Sequence, residues 1–360
     1  DLHIANLMSG FVTNPMEHAE SSLIAVYGVA SYAWNPDKYD SDKAWKDAMK
    51  EILPSAAKEL EIFATHNSDL GPNGHGYRRE ESVALRPVAE RFLNEYLNKG
   101  TYPMEDLLAL LDTFTLMQEA ADILMTTTEN PALISEMKPW LVQHKLMGET
   151  GQEVFTMLEA YNVENQELFL RKYKHVKALQ QQMFDIDQTY NQNPYQPGVK
   201  TAGLVIKPLI DQTFAKVVEM YNNKYGTALD GKTDYIPHTL TSDVNQLKNL
   251  PLRQKTNRIL VSPANEVIKW QGKGFISIEL DKVYPLMTID IDFGKPEVAA
   301  WGTLEISTNG QDWQKMDFQQ NKNRIRVNGE KTPVKAIRFT NAQDKEQEIY
   351  MRNFTITVEK

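Results

Sequence analysis

The hydrophobic period of this 360-residue chain changes once, near residues 226–231, and that change limits what it can fold into. From residue 77 to 225 apolar side chains recur every three or four positions, the repeat of a helix with one buried stripe. Beyond Gly231 they alternate, the repeat of strands with one buried face. Stripes and alternating faces are buried in different ways, so the sequence predicts an all-α region followed by an all-β region.

In the helical region Val88, Phe92 and Tyr96 mark one helix. Pro103, with Glu105 and Asp106 in the first turn, opens a second that carries Leu107, Leu111, Phe114, Ala121 and Leu124. Asn130-Pro131 is a start signal ahead of Leu133, Met137, Trp140 and His144, with a kink expected at Pro139. Phe169, Tyr173, Val176, Met183, Ile186 and Tyr190 mark a long helix; Ile210, Phe214, Val217 and Tyr221 mark the last, ended by Gly226. Helices with one apolar stripe each must pack on one another, which predicts a bundle of about five.

In the β region Ile276, Ile278 and Leu280, then Ile289, Ile291 and Phe293, then Leu304 and Ile306 alternate. Ile325 and Val327, Val334 and Phe339, and Phe354, Ile356 and Val358 continue the pattern, which predicts a β-sandwich. Asn309-Gly310 predicts a hairpin turn. The pattern Ser307-x-Asn309-Gly310-x-x-Trp313, with Ala336-Ile337-Arg338-Phe339 later, resembles the discoidin, or coagulation factor 5/8 C-type, jelly roll to which many carbohydrate-binding modules belong.

At the other end, residues 7–20 read as a short buried strand with Phe11 and Val12 running into a helix, the join falling at Asn14. Asn14 has the chemistry of an N-cap, with Pro15 at the first helical position and Glu17 three residues on. The helix is expected to bury Leu23, Val26 or Tyr27, Ala30 and Trp34 before Asn35-Pro36 stops it. A further helix with Trp45, Met49, Ile52, Ala56, Leu60 and Phe63 should split at Pro54, and four breakers within residues 71–76 mark a boundary.

The Ser9-Gly10-Phe11-Val12-Thr13-Asn14-Pro15-Met16 and Tyr32-Ala33-Trp34-Asn35-Pro36 segments resemble the last β/α unit of the catalytic (β/α)₈ barrel of glycoside hydrolase family 84. Members of that family are β-N-acetylglucosaminidases, many of them O-GlcNAcases, some first called hyaluronidases. Similarity to bacterial, Bacteroides-type members continues more weakly through the rest of the chain. The resemblance implies a multidomain fold, α/β then all-α then all-β: the C-terminal end of a TIM barrel at 1–76, a helical bundle at 77–240 and a jelly-roll β-sandwich at 241–360. It also implies that Asn14, at the carboxyl end of the eighth strand, hydrogen-bonds sugar hydroxyls in the −1 subsite. That role and a plain N-cap do not exclude each other.

Family 84 hydrolysis, as the resemblance implies, is substrate-assisted: the acetamido oxygen of the sugar is the nucleophile, and an adjacent Asp-Asp pair orients it and acts as general acid/base. No Asp-Asp dipeptide occurs in these 360 residues. The pair is therefore expected upstream, no catalytic residue is assigned here, and the segment alone is expected to be inactive. The family's Trp-x-Asn segment is absent too, so only Asn14 carries over. The reading from another class is a non-catalytic carbohydrate- or protein-binding scaffold.

Thirty-nine Lys and Arg against 48 Asp and Glu, a net charge of −9, disfavour nucleic acid and anionic membranes. The absence of cysteine excludes disulfides and thiolate sites. No run reaches the ~18 apolar residues of a membrane span. A start at Asp1 rather than Met fits a chain whose true N-terminus lies upstream, so a missing signal peptide says nothing about export; the expectation is a protein exported to a bacterial periplasm or cell surface, with a GlcNAc-bearing glycoprotein or glycan as partner.

Other motifs are weak. Asp230-Gly231-Lys232-Thr233 ends like a P-loop but lacks the upstream glycine. The seven histidines show no zinc spacing, so no metal ligand is assigned; His18 is expected at the surface or behind the site, and His75 in solvent. No cofactor is required, and a structural calcium ion in the sandwich is allowed by analogy with such modules, without a readable ligand cluster. Asn353-Phe354-Thr355 fits a glycosylation acceptor but falls in an expected strand. Tyr284, Trp270, Trp301 and Trp313 are the aromatic candidates for sugar stacking, with Trp313 expected in the core.

Overall fold

The structure, a computed structural model, describes residues 10, 12–13, 18–67, 80–190, 198–233, 235–248, 250, 252–255, 257–264 and 266–359. The chain divides into two compact units. One holds the helical region through 231 without 203–212; the other holds 203–212 and the β region from 232.

In the helical unit, α1 (Ala19–Trp34) is followed by α2 (Ser41–Ile52) and α3 (Ala57–Thr65), with a short 3-10 turn at Pro54–Ala56 between the last two. Pro54 thus splits the helix as expected, because its ring clashes with the preceding turn. Asp40 caps α2, its Oδ1 accepting from Asp42 N and Lys43 N at 2.9 Å each. The bundle continues as α4 (Arg86–Lys99), α5 (Met104–Thr126), α6 (Pro131–Asn162), α7 (Gln166–Tyr190) and α8 (Ile206–Tyr225). Asn130 caps α6 through Leu133 N at 3.1 Å, and Pro139 sits inside that helix without ending it.

Met49, Leu53, Leu60 and Phe63 from α2, α3 and their junction share one core with Leu124 of α5 and Leu133, Met137 and Leu141 of α6. Residues 41–65 are therefore packed into the helical unit. Where α5 and α6 cross, a Cβ on Gly148 would stand 2.6 Å from the Phe114 carbonyl oxygen and one on Gly151 2.7 Å from the Phe114 ring. Only glycine permits this approach, and Phe114, Phe155 and Phe92 fill the space around it. Asp106, 1% exposed, is satisfied by the fork of Arg91, whose Nε donates at 2.8 Å.

The first helix differs from expectation. Its described part begins at Ala19 behind an extended His18, while Asn14, Pro15 and Glu17 lie outside the described residues. Leu23, Ala30 and Trp34 are exposed, Trp34 by 91%, while Ser22 is the buried residue. Periodicity supplies an apolar stripe but not the direction it faces; α1 packs on α2 and α6 through its other side. Gly10 and Val12, the described residues of the expected preceding strand, lie in no strand, since no neighbouring strand offers them a ladder among the described residues.

The β unit contains β1 (His238–Ser242), the short helix α9 (Asn245–Lys248), β2 (Leu252–Lys255), β3 (Arg258–Val261), β4 (Ile268–Trp270) and β5 (Phe275–Asp292). Next come β6 (Gly302–Ser307), β7 (Gln314–Met316), β8 (Gln319–Asn321), β9 (Arg324–Asn341), β10 (Gln347–Ile349) and β11 (Asn353–Val358). The two 18-residue strands β5 and β9 organise it. Their register breaks between Glu279 and Tyr284 and again between Leu286 and Thr288, and these irregularities let each strand serve two faces. The first half of β5 pairs with β1 and with the end of β9, which pairs onward to β6 and then β7. The second half pairs with β11 and with the start of β9, extending to β3, β2 and β8. Ile276, Ile278, Ile337 and Leu304 from the first layer meet Ile289, Ile291, Ile325, Phe354 and Ile356 from the second in one core. Every ladder is antiparallel.

The Asn-Gly turn is not a two-residue hairpin. Ile306 pairs with Gln314, which leaves a longer loop in which Asn309 Oδ1 accepts from Gln311 N and Asp312 N at 2.8 Å, and Ser307 Oγ accepts from Gly310 N at 2.9 Å. Gly310 takes a left-handed φ of 78°.

Candidate functional site

Asn14 and His75 lie outside the described residues. The helix downstream of Asn14, α1, is held by a side chain remote in sequence. Its first turn has unpartnered backbone donors that no local side chain caps. Glu136 of α6 supplies the acceptor: Oε1 receives Glu20 N at 3.2 Å, and Oε2 receives Ser21 N at 3.0 Å and Ser21 Oγ at 3.2 Å. Partial burial pushes the Glu136 carboxyl up, but these hydrogen bonds and nearby His18 outweigh it and hold the group below the usual carboxylate range. His18 itself is exposed and stands edge-on to Trp140 at 5.1 Å. Glu129 does the same for the Pro54 turn, accepting from Ser55 N at 2.9 Å and Ser55 Oγ at 2.6 Å.

Deeper in the same unit two histidines are buried together. His66 Nδ1 meets Ser82 Oγ at 2.8 Å, His144 Nδ1 meets Thr201 Oγ1 at 3.2 Å, and the rings stack at 6.0 Å. Thr201 Oγ1 in turn donates to Asn67 Oδ1 at 2.8 Å. Desolvation pushes His66 down to about 4; desolvation and the neighbouring His66 push His144 down as well. Both rings are neutral near pH 7, and their partners are hydroxyls, which makes this a structural junction rather than an acid/base pair. Among the described residues no three His, Cys, Asp or Glu side chains converge as metal ligands.

Three of the four aromatic candidates in the sandwich are core. Trp270 is 0% exposed and donates through Nε1 to Gly274 O at 2.8 Å; Trp301 and Tyr284 are buried too. Trp313, expected in the core, is instead half-buried beneath the Arg338 guanidinium, 4.1 Å from its ring centre. An outward aromatic was missed. Tyr350 is 46% exposed between Ile349 and Met351, both 0% exposed, and Arg352 lies 5.8 Å over its ring. Tyr350 lies in the connection between β10 and β11, where no strand period is available to mark it. Gly294, at φ 65°, lets the neighbouring loop pass close, for a Cβ there would stand 2.9 Å from Tyr350 Cβ. Lys295 on that loop donates to Gln347 Oε1 at 2.7 Å. The edge thus offers an aromatic platform flanked by cationic donors, the composition of a sugar-stacking surface.

Two weaker motifs lose their functional readings. Asp230 is tied to Tyr173, whose hydroxyl accepts from Asp230 N at 3.0 Å, so the P-loop-like segment is a packed bundle exit. Asn353 is 3% exposed and donates to Asp290 O at 3.2 Å, which withdraws it as a glycan acceptor.

Three family models match in succession. Residues 1–65 match the β-N-acetylglucosaminidase (NAGidase) model, 81–214 the bacterial GH84 post-catalytic domain, and 229–292 carbohydrate-binding module family 32. Among solved structures, CpGH84D is 28% identical over 59% of this chain and 35% of its own, with a TM-score of 0.51. CpGH84B is 22% identical over the same shares, also at 0.51. A mutant O-GlcNAc hydrolase from Thermobaculum terrenum is 19% identical over 64% of this chain and 46% of its own, at 0.48. The chain spans about a third of the length of the first two. Among the described residues no helix is long and apolar enough to cross a membrane. The order of the three matched segments, a NAGidase segment, a bacterial GH84 post-catalytic domain and a family 32 carbohydrate-binding module, supports a C-terminal region of glycoside hydrolase family 84.

Proposed function

We propose that this chain is part of a retaining β-N-acetylglucosaminidase that removes terminal GlcNAc from Ser/Thr or from glycans by substrate-assisted catalysis. The observation that carries the reading is the succession of the NAGidase, post-catalytic and carbohydrate-binding matches in one polypeptide. The acetamido oxygen of the substrate attacks the anomeric carbon while an acid protonates the departing oxygen, and water later opens the cyclic intermediate. The Asp-Asp pair that performs those proton transfers belongs to sequence upstream of Asp1. Asn14 fixes the sugar by hydrogen bonds in the −1 subsite. The domains run 1–76, 77–240 and 241–360, the protein acts outside the cytoplasm on GlcNAc-bearing glycoprotein or glycan, and the reaction needs no cofactor. A structural calcium ion in the sandwich belongs to the same reading by analogy with such modules, with no ligand assigned to it.

The exposed stripe of α1 supports the barrel part of this reading. A Trp34 that is 91% exposed, with Leu23 at 40% and Val29 at 36%, is an apolar surface that barrel residues would cover. The sandwich contributes binding at the Tyr350 edge. Because the sequence holds no Asp-Asp dipeptide, the chain by itself binds rather than hydrolyses.

The test is Asn14→Ala in the full-length enzyme. Loss of hydrogen bonds to the sugar lowers kcat/KM by about 1–3 kcal/mol, roughly five- to 150-fold. Unchanged kinetics would reduce Asn14 to a cap.

A further inference from the structure

The sandwich carries a groove on the outer face of its β5–β9–β6 layer, away from the Tyr350 edge. Its volume is ≈ 370 Å³, and Lys273, Phe275, Thr303, Glu305, Arg338 and Thr340 line it. That is the lower end of the about 300–1,000 Å³ usual for small-molecule sites and too little for a folded partner. The ladder explains why these residues meet. Thr303 and Phe275 pair with Thr340 from its two sides, and Glu305 and Ser277 pair with Arg338 in the same way, so two adjacent rows of side chains leave one face together.

The polar groups are held ready before any ligand arrives. Arg338 Nε donates to Glu305 Oε2 at 2.9 Å and Nη2 lies 2.9 Å from the same oxygen, while the guanidinium plane rests on Trp313. Both contacts use one carboxylate oxygen, which leaves Glu305 Oε1 as an acceptor beside Arg338 Nη1 as a donor. Thr340 Oγ1 reaches Glu305 only at 3.5 Å. At the rim Lys273 Nζ donates to the Ala342 carbonyl at 2.6 Å and lies 3.4 Å from Asp344. Each cation therefore already has its anion, and an anionic ligand would find no uncompensated charge.

An acceptor beside a donor, two threonine hydroxyls and a half-buried phenylalanine on the floor make a surface for a molecule whose neighbouring hydroxyls both donate and accept, and whose other side is C–H. We propose that this groove binds a neutral pyranose, giving the sandwich a second glycan contact on its sheet face. The vicinal diol bridges Glu305 and Arg338, the ring's C–H face lies on Phe275, and Thr303 and Thr340 take a further hydroxyl. Affinity is low, because few groups are desolvated and the groove is shallow.

Trp313 reports on the site through Arg338. The experiment titrates the 360-residue chain, labelled with 5-fluorotryptophan, with methyl β-galactopyranoside and with methyl N-acetyl-β-glucosaminide, following the fluorine resonance assigned by Trp313→Phe. At least one glycoside shifts it saturably at millimolar concentration. Thr303→Tyr, which fills the groove, and Glu305→Gln, which removes the carboxylate, each weaken that response tenfold or more; Tyr350→Ala leaves it within twofold. Thr303→Val removes only the hydroxyl and weakens it about threefold, which keeps the test decisive if the larger side chain disturbs the fold. The proposal is overturned if neither glycoside gives a saturable shift. It is equally overturned if Tyr350→Ala abolishes a shift that survives Thr303→Tyr, or if only N-acetylneuraminate moves the resonance.

Discussion

Glu136→Gln tests whether a carboxylate on α6 caps the first turn of α1. The carboxylate takes two backbone N–H groups and one hydroxyl at the first turn of α1, at 3.0–3.2 Å, and it faces the positive end of that helix. Gln keeps one acceptor oxygen but turns an NH₂ toward donors, so it loses part of the cap and the whole charge–dipole attraction. A lost cap costs ~0.5–2 kcal/mol and the charge at a helix end ~0.3–1, which together give about 1–2 kcal/mol at the start of α1. Since helix ends open locally, the direct readout is hydrogen exchange of the Glu20 and Ser21 amides. Their exchange should accelerate roughly five- to thirtyfold in the variant, with little change in the middle of α6. The sign with pH comes from the lowered carboxyl: its stabilisation is present above the unfolded value of 4.5 and is lost as pH falls through the folded one. The wild type therefore loses protection of these amides in acid, and Glu136→Gln does not. Equal exchange in both proteins at neutral pH would mean that Glu136 does not cap α1.

The buried histidines set a second acid limit. With His66 lowered from 6.5 to about 4, the unfolded chain takes up its proton first, so stability is full above pH 6.5 and falls by about 3 kcal/mol on reaching pH 4. His66→Phe should flatten that part of a urea-denaturation profile, and an unaltered slope would count against a neutral buried ring. Gly148→Ala forces α5 and α6 apart at the Phe114 carbonyl and should cost about 1–3 kcal/mol, a fall in Tm of about 3–10 °C by calorimetry; an unchanged Tm would mean that the helices do not cross so closely. Tyr350→Ala should abolish the shift of the Arg352 amide on titration with methyl N-acetyl-β-glucosaminide, without moving the Tm; a retained shift would remove Tyr350 from the binding edge.

The helices were legible where period and punctuation agree. Asn130 before α6 and Pro54 between α2 and α3 act through local backbone chemistry, so a single sequence suffices to place them. The direction α1 faces was not legible, because the phase of a stripe says nothing about which partners are there to meet it. Long β5 and β9 looked like pairs of short strands: polar Asp281 and Lys282 resemble a turn, yet the register shift there bends one continuous strand between two layers. Trp270 and Trp301 gave no sign of their burial because β4 is three residues long and Trp301 comes after a 3-10 turn, leaving no alternation to read. Tyr350, in the connection between β10 and β11, gave no such sign either. Glu136 carried none, since its partner Ser21 lies 115 positions away and only the fold joins them. Asn14 rests on the family resemblance and on the match of residues 1–65.

On the function proposed above, these 360 residues hold the sugar-positioning and glycan-binding end of a hydrolase whose proton-transfer pair lies upstream. Hydrolysis of a chromogenic N-acetyl-β-glucosaminide by this chain and by the same protein extended through its upstream sequence decides the matter. The extended protein should release chromophore and the 360-residue chain none. Turnover by the chain alone, or none by the extended protein, would contradict that function.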